Sequence, residues 1–291
     1  MVNFINLVIA GLATGAIYAL VAIGFTLLWQ TSQTINFAQG EFVMLPAFFM
    51  LAVMNAGLPF WLALLVGLVL SLLTLGAAFK LLLVDPMLKH GVLPLAIATM
   101  ALSIFLKDSV KEFYSAEAQP FPSLLPATNL DVLGVQISVQ SVGVLIVAVL
   151  AVLVLQWFIA GTRLGRQMQA TAQNPTVARI LGVPVERMIM LTFLINAGLV
   201  TLASALVSPI YLAKFSSGDT LGLAAFIAAI VGGFNQIRGA IAGGLLLGVV
   251  DNLAAAYVST QYRGAVPLFL LIAVILFRPQ GLFGRAEERT V

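Results

Sequence analysis

Glu41 is the only charged side chain among the first 79 residues, and the next is Lys80. A helix crossing the ~30 Å hydrocarbon core of a bilayer needs about 20 apolar residues, so a stretch of this length has room for several crossings. A soluble domain cannot be built from it, because too few polar side chains are present to cover an outside. The rest of the chain continues the pattern: 61% of the 291 residues are hydrophobic and 9% are charged, against roughly 25% charged in an ordinary soluble domain. The fold class this implies is all-α, a polytopic transmembrane helical bundle.

Apolar segments fall at 4–29, 36–55, 60–83, 92–106, 142–160, 188–212, 220–234, 240–257 and 265–278. They predict eight or nine spans with at least one short or broken helix, since 92–106 and 220–234 are brief for a full crossing. No basic flank precedes the apolar stretch from Phe4 to Trp29, which is too long for a leader core, so it is expected to be retained. No long polar linker or fixed-period repeat divides the chain, and 1–291 reads as a single transmembrane domain. Trp29, Trp61 and Trp157 lie near the ends of segments, where indole rings anchor at the interface.

Orientation follows from the tendency of Lys and Arg to stay in cytoplasmic loops. Residues 161–187 carry Arg163, Arg166, Arg179 and Arg187 against Glu186 alone, the C-terminal tail carries Arg278, Arg285 and Arg289, and Lys80 and Lys89 flank the end of the third segment. These are expected in the cytoplasm. The connection 107–141 has Asp108, Glu112, Glu117 and Asp131 against Lys107 and Lys111, with Pro120, Pro122 and Pro126 holding an irregular path, and is expected outside. Nine spans then put the N-terminus outside, whereas eight put it inside.

The loop 161–187 contains a local code for a short helix. Asn174 is a favoured N-cap, Pro175 suits the first helical position, Gly182 suits the left-handed residue after the end, and Pro184 prevents continuation. Around Ala178, the side chains of Val177, Ile180 and Leu181 recur at i, i+3 and i+4, which gives an apolar face to a helix lying outside the membrane core. Two burials satisfy such a face: the protein's own helix ends, or a groove on a cytoplasmic partner.

Asn36, Gln39, Gly40 and Glu41 interrupt an apolar region, and polar groups at membrane depth need protein partners or a water-filled cavity. Glu41 can act as an acid in the first turn of the following helix, where the dipole favours it. Alternatively these residues belong to a pathway or its gate, where a broken helix exposes groups that meet a zwitterion. Gly11 and Gly15, Gly239 and Gly243, and Gly244 and Gly248 are spaced for close helix approach in lipid, and Asp251 within its apolar run suggests an interhelical hydrogen bond.

Several functions are set aside on composition. There is no cysteine and His90 is the only histidine, so thiolate and His-rich metal sites are excluded and no catalytic constellation presents itself. Neither a phosphate-binding G-x-x-x-x-G-K-[ST] loop nor a strand-borne G-x-G-x-x-G occurs, so no ATP is expected on this chain, and no metal or other cofactor. The net charge of +3 resides in short loops beside a membrane face rather than in a nucleic-acid surface.

Five stretches taken in order carry a resemblance: Gly15-Ala16-Ile17-Tyr18-Ala19-Leu20 with Gly24, Asn36-Phe37-Ala38-Gln39-Gly40-Glu41, the loop from Gly165 to Gly182, Gly232-Gly233 through Gly239-Ala240 to Gly243-Gly244, and Arg278-Pro279-Gln280-Gly281-Leu282-Phe283-Gly284. In this order the chain resembles the permease subunits of branched-chain amino acid ABC importers, specifically the smaller of the two permeases, nearly end to end. The resemblance implies a bacterial inner-membrane location, a second homologous permease, two cytoplasmic ATPases that carry the ATP, and an external solute-binding protein. It also implies that the loop 165–182 contains the coupling helix that receives the ATPase stroke, and that the solute is leucine, isoleucine or valine, with urea and short-chain amides as alternatives. A stand-alone small-solute channel is the rival reading. Pro46 stands where the family usually has glycine, which bears on the pathway beside it.

Overall fold

The computed structural model describes residues 2–114, 116–123, 128–132, 135–260 and 264–284. Apart from one small hairpin, the regular elements are helices: α1 (Val2–Ser32), α2 (Gln39–Asn55), α3 (Phe60–Leu88), α4 (Val92–Phe113), α5 (Val139–Gly161), α6 (Arg163–Gln173), α7 (Pro175–Ile180), α8 (Val185–Tyr211), α9 (Ser217–Gly232), α10 (Ile237–Tyr257) and α11 (Ala265–Phe277). The hairpin pairs β1 (Asn129–Val132) with β2 (Val135–Ser138) antiparallel. Six of the helices, α1, α3, α4, α5, α8 and α10, are long and apolar enough to cross a membrane, while α2, α9 and α11 are shorter apolar helices. Exposed Leu82, Ile104, Phe105, Val154 and Trp157 on α3, α4 and α5 give these helices apolar outer faces that suit lipid and not water. The protein is a multi-pass helical membrane protein.

Two boundaries differ from the sequence expectation. The segment expected to end at 106 continues as α4 to Phe113, because Lys107, Asp108, Lys111 and Glu112 extend the helix with a polar last stretch. The connection expected over 107–141 is correspondingly shorter, with α5 starting at Val139 and the β-hairpin inside it. Pro46 lies inside α2, which nevertheless continues to Asn55.

The chain forms two compact units, residues 1–26, 123–149 and 223–291 in the first, and residues 27–122 and 150–222 in the second. In the first unit, α1 lies on α10 through glycine. A Cβ built on Gly15 would come within 2.7 Å of the Gly244 carbonyl oxygen and 2.8 Å of Leu245 Cα, so backbone meets backbone with no room for a side chain. Tyr18 donates to Asp251 at 3.4 Å, joining the same two helices by a polar contact. Past α11, Leu282 and Phe283 donate their backbone N–H groups to the carbonyls of Val231 and Gly232 at 2.8 and 2.9 Å, which ties the tail to the end of α9.

In the second unit, Met44, Phe48, Met50 and Leu51 of α2 pack with Ala63, Val110 and Ala205 of α3, α4 and α8. A stack of Phe42, Phe79 and Phe193 adds edge-to-face and tilted ring contacts at 4.8 and 5.8 Å between centroids. From Leu72 to Val84, α3 is wound wider, as a π-helix with i→i+5 hydrogen bonds. At the change of winding the Ser71 and Thr74 hydroxyls donate to the carbonyls of Gly67 and Leu70 at 2.7 Å.

Candidate functional site

The loop 161–187 folds as two helices. Thr162 caps α6, its hydroxyl oxygen accepting from Gly165 N–H at 2.9 Å, and α6 buries Met168 and Thr171 while packing along α8. Asn174 then caps α7: its side-chain oxygen accepts from Val177 N–H at 3.0 Å, and Pro175 occupies the first position, where its missing N–H leaves no bond unmade. At the other end Gly182 adopts φ +83°, with Gly182 N–H on the Arg179 carbonyl at 3.1 Å and Val183 N–H on the Ala178 carbonyl at 2.9 Å, the pair of bonds that closes a Schellman motif. Both ends of a six-residue helix are thus closed by its own sequence.

Of the apolar residues on α7, Ala178 is buried, while Val177 is 47% exposed, Ile180 80% and Leu181 75%. The side chains at i, i+3 and i+4 therefore do not pack on the protein's own helix ends. Ion pairs connect this short helix to the bundle: Arg179 reaches Glu186 at 3.4 Å, and Glu186 lies 3.9 Å from Lys80, which also donates to both carboxylate oxygens of Asp85 at 2.8 Å. Lys80 is buried within the wide part of α3, so the chain of charges runs from α7 through the start of α8 into a spanning helix.

The second candidate lies at the break between α1 and α2. After Ser32 the chain leaves the helix, Gln33 takes φ +53°, and α2 resumes at Gln39. Asn36 holds the re-entry, its side-chain oxygen accepting from Ala38 N–H at 3.0 Å. Gln39 and Asn196 of α8 exchange two amide hydrogen bonds, Gln39 Nε2 to Asn196 Oδ1 at 2.6 Å and Asn196 Nδ2 to Gln39 Oε1 at 3.1 Å, and Asn36 Nδ2 adds a third to Gln39 Oε1 at 3.3 Å. All three side chains are buried. Asn196 stands eleven residues into α8 and fifteen before its end, at mid-height of a spanning helix.

Gly40 and Glu41 face the start of α9. A Cβ on Gly40 would collide with the Gly218 carbonyl, and Gly222 Cα would be 3.1 Å away, so α2 and α9 touch backbone to backbone. Glu41 is buried and shares a hydrogen bond with Ser103 of α4, while Lys107, one turn further along α4, pairs with Asp219 of α9 close enough for both to interact electrostatically with Glu41. Phe37 N–H donates to the Thr99 hydroxyl at 3.2 Å, so the polar row on α4 is Thr99, Ser103 and Lys107. Asn36, Gln39, Gly40 and Glu41 are therefore gathered in one place as a group, together with Asn196, Ser103, Lys107 and Asp219, which sequence reasoning did not select. Asn196 was findable as a lone amide within an apolar span.

A family model described as "Branched-chain amino acid transport system / permease component" matches residues 7–275. The chain is 33% identical over 301 residues to the high-affinity branched-chain amino acid transport system permease protein LivH of Salmonella typhimurium, covering 99% of this chain and 98% of the relative. It is 32% identical over 302 residues to the corresponding protein BraD of Pseudomonas aeruginosa, with 99% and 98% covered. A probable branched-chain amino acid transport permease protein of Methanocaldococcus jannaschii is 26% identical over 91% of this chain and 88% of its own length.

Proposed function

The chain belongs to the family of permease components of branched-chain amino acid transport systems, and from that premise we propose that it is the smaller permease of an ATP-driven importer of leucine, isoleucine and valine. It resides in the inner membrane of a bacterium, pairs with a second homologous permease, rests on two cytoplasmic ATPases and receives solute from an external binding protein. ATP is held by the ATPases. This chain supplies a path and performs no covalent chemistry, so it is not an enzyme.

The observation that carries the coupling part of this reading is the unburied apolar face of α7, Val177, Ile180 and Leu181, on a helix closed at both ends. Such a face gains from being covered by another protein, and a helix in a groove is a common way to do so. Closure of the ATPases displaces α7, with Asn174, Pro175, Ala178 and Gly182 keeping its shape. Arg179, Glu186, Lys80 and Asp85 pass that displacement to α8 and α3. The pathway or gate then includes Asn36, Gln39, Gly40 and Glu41, whose contacts with α4, α8 and α9 differ between inward-open and outward-open states, because a shift requires differential contacts.

Affinity capture of the tagged chain from its native membrane tests the assembly. A second permease and two ATPases copurify, and the cognate binding protein titrates with leucine in preference to urea or acetamide. Recovery of the chain alone, conducting solute without ATP, defeats the proposal in favour of a stand-alone channel. A binding protein that prefers urea reassigns the solute.

A further inference from the structure

The pair Lys107–Asp219 is only partly covered: the Lys107 side chain is 30% exposed and that of Asp219 50%. Lys107 is the first charged residue of α4, where its apolar part gives way to the polar last stretch. Asp219 occupies the first turn of α9, and its short side chain cannot reach along a helix to the interface as lysine can. Both charges therefore sit at the edge of the apolar part of their helices, Lys107 where α4 turns polar and Asp219 in the first turn of α9. A charge there is costly against hydrocarbon, so the surface that carries them faces water or protein.

What backs the pair narrows its use. Glu41, buried behind it, is held by Ser103, and Gly40, Gly218 and Gly222 bring the starts of α2 and α9 into backbone contact. Two carboxylates and one ammonium therefore meet at one place, with the cation and one anion accessible. An α-amino acid carries the complementary set, one carboxylate and one ammonium on adjacent atoms. It can insert between Lys107 and Asp219 with each end satisfied, replacing one ion pair by two. A neutral amide or urea offers no such exchange and leaves the pair closed.

We infer that Lys107 and Asp219, supported by Glu41 and Ser103, form this chain's contact with the zwitterionic head of the solute in passage. The inference rests on the importer reading above and names the residues that meet the solute.

The test uses the complete importer, with its binding protein, in proteoliposomes, and measures L-leucine taken up per ATP hydrolysed. If the wild-type complex moves no leucine, the importer reading itself has failed. With wild-type transport established, the neutral pair Lys107→Met with Asp219→Leu is compared with it. The expected result is at least a tenfold fall in leucine moved per ATP, with the stimulation of ATPase by loaded binding protein kept within twofold, and partial recovery in Lys107→Arg. A pair that serves only to tether α4 to α9 is replaceable by apolar residues, so wild-type transport in the neutral double variant overturns the assignment. Because the chain is free of cysteine, Asp219→Cys in the assembled complex gives a separate readout. Labelling of that residue by a charged thiosulfonate is expected in at least one nucleotide state, and absence of labelling in every nucleotide state also overturns it.

Discussion

Replacing Gln39 by leucine removes the side chain that satisfies Asn196. The two amides exchange hydrogen bonds at 2.6 and 3.1 Å with both residues wholly buried, and Asn36 contributes a longer one at 3.3 Å. Each buried polar group left without a partner costs about 1–3 kcal/mol, which for the two ends of the Asn196 amide gives about 2–6 kcal/mol. Membrane proteins often recover part of such a loss through alternative partners, with measured interhelical hydrogen bonds averaging about 0.6 kcal/mol. Asn36, whose amide bonds Gln39 in the same cluster, can recover part of the loss, so Gln39→Leu is expected to cost about 2–4 kcal/mol. Asn196→Leu should cost a similar amount, since Asn36 satisfies only part of Gln39. Changing both partners replaces a polar pair by an apolar one, so the double variant should lie well below the sum, with a coupling of about 2 kcal/mol. Unfolding of the purified chain by SDS in mixed micelles, followed through its three tryptophans, measures all four proteins. Penalties that add to within about 0.4 kcal/mol would refute the reasoning, because independent sites add and a shared amide pair cannot.

Gly40→Ala forces α2 away from α9, because the clash is with the backbone of Gly218, including its carbonyl carbon at 2.8 Å, and no rotamer relieves it; a loss of about 1–3 kcal/mol, with transport reduced beyond the loss of folded protein, is expected in uptake and unfolding assays run side by side. Replacing Ile180 and Leu181 by aspartate leaves membrane insertion unchanged, because both side chains are exposed, but abolishes either copurification of the ATPases or the coupling of ATP hydrolysis to uptake, and normal uptake in that variant removes α7 from the coupling role. Lys80→Met strands Asp85, whose side chain is 38% exposed and can hydrate, so the expected destabilisation of about 1–2 kcal/mol lies below the 3–5 kcal/mol of a fully buried broken pair; Lys80→Met with Asp85→Leu should recover most of it in the same unfolding assay.

Local chemistry was legible in the sequence where a single element decides the outcome. Asn174, Pro175 and Gly182 act within a few residues of themselves, and the structure has α7 begin and end where these side chains put it. Apolar runs likewise coincide with helices, because length and hydropathy alone distinguish them. The end of α4 was misread because Lys107 to Glu112 are charged, and a polar last turn on a helix has the composition of a loop. Lys107 and Asp219 could not be joined from sequence: they are 112 residues apart, and only the approach of α4 to α9 makes them neighbours. The wide winding of α3 was not legible either, since Leu72 to Val84 have the composition of an ordinary apolar helix.

The brevity of α7 bears on inhibition. Isolated helices shorter than about 12–15 residues are marginal in water, and α7 has six residues, held in shape by an N-cap, a left-handed glycine and the ion pair from Arg179 to Glu186. A linear peptide spanning 172–184 keeps Asn174 and Gly182 but lacks Glu186 and the bundle that hold the two ends in place, so it must order itself at the moment of binding and should compete poorly with the intact permease for its docking groove. A cyclised or hydrocarbon-stapled version that presents Val177, Ile180 and Leu181 on a fixed turn meets the groove already folded, and is the form in which this short element becomes a competitive ligand.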